Sequence, residues 1–138
     1  MKSKLAVLID NDAEDLATLE GAMKDTSPNL TCISCIFPDE AIHLITHFLR
    51  VAPDYIFIDV NMSRMTGPEC LTTLKMIKGL SECKIIMFSG VMPPAVGEAF
   101  KKLGASDYFQ KPLLRAQYRT ALTQIFEKQG SGNAMAVS

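Results

Sequence analysis

Short apolar runs alternate along the chain with longer segments in which apolar residues recur every three or four positions. Leu5–Ile9 is continuously apolar, the pattern of a strand buried on both faces. Leu16, Leu19 and Met23 then share one stripe of a helix, and Asp12 stands where its N-cap belongs. Leu30–Phe37 reads as a second strand. Pro38 suits a first helical turn, and Ala41, Ile42, Ile45, Phe48 and Leu49 make an apolar face. Pro53-Asp54 punctuates, and Tyr55–Ile58 is a third strand that ends at Asp59. Beyond a loop with Gly67, a helix carries Leu71, Leu74 and Ile77. Lys84–Phe88 is a fourth strand. Pro93-Pro94 opens a helix bearing Ala99, Phe100 and Leu103, with Gly104 at the C-cap position. Ser106–Phe109 is a short fifth strand. Pro112 precedes a final helix with Leu114, Tyr118, Leu122 and Ile125. The small, polar end of the chain predicts a flexible tail over 129–138, after a folded domain over 1–128.

Five β–α repeats in this length predict an α/β fold with a doubly wound, five-stranded parallel sheet and right-handed crossovers. In the order 2-1-3-4-5 the chain reverses direction between the first and third strands. Ligands bind at such a switch point, outside the carboxyl ends of the strands.

The totals narrow the function classes. At 138 residues with 48% apolar content, one domain with a real core is expected. A net charge of −1 provides no global basic field for nucleic acid. No apolar run approaches the ~20 residues of a membrane span. The apolar stretch after Met1-Lys2-Ser3-Lys4 stops at Asp10, too early for a signal peptide, so a cytoplasmic location is expected. Cys32 and Cys35 have C-x-x-C spacing, but they lie on a predicted strand. Side chains three apart on a strand point to opposite faces, so buried, unpaired thiols are expected.

The switch point selects the chemistry. The first strand ends in Asp10-Asn11-Asp12, the third in Asp59, the fourth in Ser89-Gly90 and the fifth in Lys111-Pro112. Taken singly, these are ordinary caps and turns. Together they converge on one rim. Clustered carboxylates repel, and a hard divalent cation such as Mg²⁺ relieves that repulsion. Lys111 and the Ser89 hydroxyl can hold phosphoryl oxygens. This set suits phosphoryl transfer to a carboxylate.

Four stretches, Val7 to Asp12, Asp54 to Gly67, Phe88 to Gly90 and Gly104 to Pro112, resemble the receiver domains of two-component response regulators. The resemblance runs over about residues 4 to 128, and the chain is most similar in outline to stand-alone, chemotaxis-regulator-like members. It implies a flavodoxin-like fold and a phosphorelay role. Asp59 would be the phospho-acceptor. Mg²⁺ would be held by Asp10, Asn11, Asp59 and the backbone carbonyl of Asn61. Ser89 would be the switch hydroxyl, Tyr108 the switch aromatic and Lys111 the phosphate-pairing lysine, with a cis Lys111–Pro112 bond. The donor would be a sensor histidine kinase or a phosphotransfer protein. The reader would be a downstream protein docking on the face of the fourth helix, fifth strand and fifth helix. Such a chain would not be an enzyme beyond its own phosphorylation and dephosphorylation. With only some ten residues after the last helix, no DNA-binding domain is expected.

Three positions depart from the family pattern. Asn11 replaces the second acid, Ser63 stands where proline is usual, and Val91 is apolar where a polar residue is common. His43 and His47 are four apart on a helix, but no third ligand is near, and solvated surface histidines are expected. Two rival readings remain. One is a docking module that needs no phosphorylation. The other is a haloacid-dehalogenase-type phosphohydrolase whose nucleophile would be Asp10 in Asp10-Asn11-Asp12.

Overall fold

The computed structural model describes the backbone of residues 4–137 and the side chains of residues 4–130. The strands are β1 (Lys4–Ile9), β2 (Leu30–Cys35), β3 (Tyr55–Asp59), β4 (Lys84–Ser89) and β5 (Asp107–Gln110). The helices are α1 (Ala13–Thr26), α2 (Pro38–His47), α3 (Gly67–Lys75), α4 (Pro94–Lys102) and α5 (Arg115–Val137). The sheet is parallel in the order β2-β1-β3-β4-β5. The tail expected over 129–138 falls almost wholly on residues whose side chains lie outside the description.

Each central strand is apolar on both faces because helices cover both. Val7, Ile9, Ile56, Ile58, Ile85 and Met87 face α2, α3 and α4. Ala6, Leu8, Phe57, Ile86 and Phe88 face α1 and α5. The two-residue period of a strand assigns alternate residues to the two cores. The same period separates the C-x-x-C pair, with Cys35 in the first core and Cys32 against the second. All four cysteines are free. Burial pushes the Cys70 and Cys83 thiols up to about 12, which leaves them inert at neutral pH.

Asp12 caps α1 as its position predicts, accepting the N–H groups of Glu14 and Asp15. Thr66 and Glu69 form a reciprocal capping box at the start of α3. Gly67 has no room for a side chain, since a Cβ would sit 2.6 Å from the Val60 Cα and 2.9 Å from the Asp59 carbonyl oxygen. That contact seats α3 directly against the end of β3.

Some boundaries and faces differ from the pattern. β2 stops at Cys35, and Phe37 becomes the extended cap residue of α2. β5 begins at Asp107, because Ser106 spends its N–H on the Ile85 carbonyl and its hydroxyl on the Ile85 N–H. The apolar period of α2 runs past the helix end, so Phe48 is 66% exposed with its ring on His43. In α4 the inward residues are Gly97 and Phe100, while Ala99 and Leu103 are exposed. Leu114 precedes α5 and is also exposed.

Candidate functional site

The carboxyl ends of β1, β3, β4 and β5 bring Asp10, Asp59, Ser89 and Lys111 to one rim. Asp10 is fully buried and Asp59 nearly so. Lys111 Nζ lies 2.9 Å from Asp10 Oδ2, 2.9 Å from Asp15 Oδ2 and 3.4 Å from Asp59 Oδ1. Its reach is set by the backbone, since the Lys111 N–H donates to the Ser89 carbonyl at 2.7 Å. That bond extends the β4–β5 ladder by one step. The Lys111–Pro112 bond, for which the resemblance implied cis, is trans, as is every peptide bond among the described residues. Trans is the intrinsically favoured form of an X–Pro bond.

One ammonium faces three carboxylates. Burial pushes the Asp59 carboxyl up from 3.8 to about 6, with the Asp10 charge adding to the rise and Lys111 offsetting only part of it. Burial works against the Lys111 charge, but Asp10, Asp15 and Asp59 outweigh it and hold the ammonium above the usual lysine range. Asp10 Oδ1 accepts the Asp12 N–H at 2.9 Å. Asp10 Oδ2 has no hydrogen-bond partner, because Lys111 approaches within ion-pair distance but out of hydrogen-bond alignment.

That orphaned buried oxygen tests the expected Mg²⁺ site. A buried carboxylate oxygen held only by an ion pair, on a rim with excess negative charge, is a donor a hard cation can take. Asp10 and Asp59 supply carboxylate oxygens that fit, and the resemblance would add the backbone carbonyl of Asn61. No three carboxylate, thiol or imidazole groups among the described residues make a closed metal cage. His43 and His47 are exposed with ring centroids 4.7 Å apart and no third ligand, as expected of surface histidines.

Asn11 is placed differently from the other expected ligands. Its Oδ1 accepts the Ser63 N–H and, at 3.2 Å, the Ser63 hydroxyl, while its Nδ2 donates to the Ile36 carbonyl. The side chain therefore ties the ends of β1, β2 and β3 together. The next residue, Arg64, strengthens the tie. It takes φ 69°, stacks its guanidinium 3.6 Å from the centre of the Phe37 ring and pairs with Asp39 at 3.1 Å. The loop that carries Asn61 is thus clamped at two successive residues.

Ser89 is buried, and its hydroxyl oxygen accepts the Asn61 side-chain amide at 3.2 Å and the Val91 N–H at 3.4 Å. Both contacts use the oxygen as acceptor, which leaves the hydroxyl proton free for another acceptor. Tyr108 lies outside the metal rim. Its ring packs on α4 directly over Gly97, where a Cβ would overlap the ring, and its hydroxyl donates to Glu98 at 3.0 Å. That hydrogen bond raises the phenol above its ordinary value.

Sequence reasoning missed Asp15 as a partner of Lys111. An acid in the first turn of a helix already has a sufficient explanation in the helix dipole. It also missed Gly97 as the seat of the Tyr108 ring, because a glycine leaves no mark in an apolar period.

Residues 6–132 match the response regulator receiver domain family, and the chain belongs to it. It is a receiver domain, a module of phosphorylation-based two-component signalling rather than a conventional enzyme. Several solved structures share the fold. A phosphorylated cyanobacterial phytochrome response regulator is 18% identical, with a TM-score of 0.80, covering 95% of this chain and 96% of its own. A chemotaxis response regulator of Vibrio cholerae is 20% identical with a TM-score of 0.76, covering 90% of this chain and 99% of its own. A response regulator solved in its Mn²⁺-bound form is 16% identical with a TM-score of 0.75, covering 90% and 92%. No curated protein sequence matches the chain. Family membership sets aside the phosphohydrolase built on Asp10. No helix among the described residues is long and apolar enough to cross a membrane.

Proposed function

We propose that the chain accepts a phosphoryl group on Asp59, with Mg²⁺ held by Asp10, Asp59 and the Asn61 carbonyl, and signals through the face of α4, β5 and α5. The observation that carries this reading is the buried Asp10–Asp59 pair, with one orphaned oxygen and a single shared ammonium. A pair built only for stability would not leave buried acids sharing one counter-charge.

The chemistry follows from what each group has free. The Asp59 carboxylate attacks phosphorus, the P–N bond of a phosphohistidine donor breaks, and the imidazole leaves with the bonding pair. Asp10 and Asp59 would hold Mg²⁺, which would supply positive charge against the transferring group and let both acids ionise. Lys111, already 3.4 Å from Asp59, pairs with a phosphoryl oxygen. The unspent Ser89 proton goes to another. Asn11 completes the cation site only by sharing the oxygen it now gives to Ser63. Turning Ser89 toward the phosphoryl group takes its oxygen from Asn61 and Val91. The Tyr108 ring can then leave Gly97 and turn inward, a two-state element biased by a local charge. The face it alters exposes Val96, Leu103, Leu113 and Leu114. A downstream protein that docks on this face reads the state, and the donor is a histidine kinase or phosphotransfer protein in the cytoplasm.

Acetyl phosphate with Mg²⁺ supplies the test. One phosphoryl group should be gained, and Asp59→Asn should abolish the gain. Undiminished labelling of that variant, or labelling on Asp10, would overturn the assignment. A folded protein that takes no phosphoryl group would instead be the phosphorylation-independent docking module.

A further inference from the structure

The mechanism above gives Asp15 no role, yet Asp15 makes the best-formed contact with Lys111. Its Oδ2 lies 2.9 Å from Nζ in hydrogen-bond alignment, whereas the equally close Asp10 oxygen is misaligned and the Asp59 oxygen is more distant. The Asp15 side chain is 41% exposed, while those of its two companions are almost wholly buried. It comes from the first turn of α1, anchored by its own N–H on the Asp12 cap. We propose that Asp15 is a positioning residue of the phospho-acceptor site, the third carboxylate, which holds Lys111 at the rim while Asp10 and Asp59 serve a divalent cation and the phosphoryl group.

Lys111 and a divalent cation compete for the same oxygens of Asp10 and Asp59. An ammonium with no other partner would settle on those two and oppose the cation. Asp15 offers Lys111 an anchor that the cation does not need, because it belongs to the first turn of α1 and not to the strand ends that carry Asp10 and Asp59. It also returns to the rim the negative charge that Asn11 does not supply. With its anchor outside the metal set, Lys111 stays beside Asp59, where phosphoryl oxygens arrive.

This inference rests on the proposed phospho-acceptor reading, and the test separates the two. Mg²⁺ binding is followed by amide chemical shifts in the full chain, and Lys111 by its own ε-methylene resonance in the metal-free protein. Wild-type protein that binds no Mg²⁺ would sink the reading itself. If wild type binds, Asp15→Asn should weaken Mg²⁺ binding by about five- to tenfold, the worth of one ordinary intramolecular hydrogen bond, because Asp15 is partly exposed. It should also shift the Lys111 resonance without metal, while Asp15→Glu restores most of both effects. In a Lys111→Met background, Asp15→Asn should change Mg²⁺ binding little, because the effect runs through the ammonium. Wild-type affinity in Asp15→Asn with an unmoved Lys111 resonance overturns the proposal. So does a loss of the same size with and without Lys111, which would make Asp15 only a distant charge. Should the Lys111→Met protein fail to fold, the Lys111 resonance and the Asp15→Glu comparison decide alone.

Discussion

The amide oxygen of Asn11 accepts both the backbone N–H and the hydroxyl of Ser63, so two of the positions that depart from the receiver pattern are in direct contact. A proline at 63 would have no N–H to give. A carboxylate at 11 would have no N–H for the Ile36 carbonyl, which now receives Nδ2. Each departure thus suits the other, and together they form a clamp between three strand ends.

Asn11→Asp tests the clamp from one side. The new carboxylate keeps the Ser63 contacts but faces the Ile36 carbonyl with like polarity and adds charge near Asp10 and Asp59. Without metal the variant should lose about 1–2 kcal/mol. At saturating Mg²⁺ the extra charge should more than recover that loss. Thermal melts of the two proteins across a Mg²⁺ series should therefore cross. Parallel curves would show that position 11 does not sense the cation.

Ser63→Pro tests it from the other side. It removes the N–H donor and the hydroxyl together, whereas Ser63→Ala removes only the 3.2 Å hydroxyl contact. The proline variant should lose about 1 kcal/mol and the alanine variant a few tenths, since Ser63 is exposed. Denaturant midpoints at fixed slope measure both. Equal losses would place the stabilisation in the hydroxyl and not in the backbone N–H.

Much of this was legible along the chain, and the reasons are local. Val7, Ile56 and Ile86 lie in unbroken apolar runs, which in so short a chain only a sheet covered on both faces can bury. The residue after each such run then had to stand at the rim, and Asp10, Asp59 and Ser89 do. What stayed hidden depends on contacts between distant residues or on absent side chains. Asn11 meets Ser63 across 52 positions, and Asp15 meets Lys111 across 96. Phe48 continues the period of α2 after the helix has ended. Gly97 matters for the space it leaves.

Gly97→Ala should empty the seat of the Tyr108 ring. A Cβ there overlaps the ring, and forcing both into one place costs on the order of 1–3 kcal/mol. The ring escapes that cost by turning away from α4 and giving up Glu98. Tyr108 ring resonances in unphosphorylated Gly97→Ala should therefore move toward those of wild type carrying a phosphate mimic. Glu98→Ala leaves the seat intact and removes only the hydrogen bond. In that variant the Tyr108 phenol should titrate closer to 10, while the ring stays largely over Gly97. Unmoved ring resonances in Gly97→Ala would mean that α4 shifts to make room and that Gly97 does not set the ring position.

The raised Asp59 carboxyl predicts a pH dependence whose sign is opposite to that of carboxylates stabilised by ion pairs or hydrogen bonds. A carboxyl that titrates near 3.8 when unfolded and at about 6 when folded binds its proton more tightly in the native state. Its stabilising contribution is present at low pH, declines as pH rises from about 4 and is gone above about 6. Above that range the native state must hold Asp59 ionised beside Asp10, a penalty on the order of 2–3 kcal/mol. Asp59→Asn removes the titration and keeps the shape. Metal-free Asp59→Asn should therefore match wild type near pH 4 and exceed it by on the order of 2 kcal/mol at pH 7, other carboxylates cancelling in the comparison. Saturating Mg²⁺ should narrow the gap at pH 7, because a cation on Asp10 and Asp59 favours the ionised acid that the asparagine lacks. Denaturant unfolding of both proteins at pH 4, 5, 6 and 7, with and without Mg²⁺, measures every arm. A gap independent of pH would mean that Asp59 titrates as an ordinary carboxylate, and that Lys111 alone neutralises the rim.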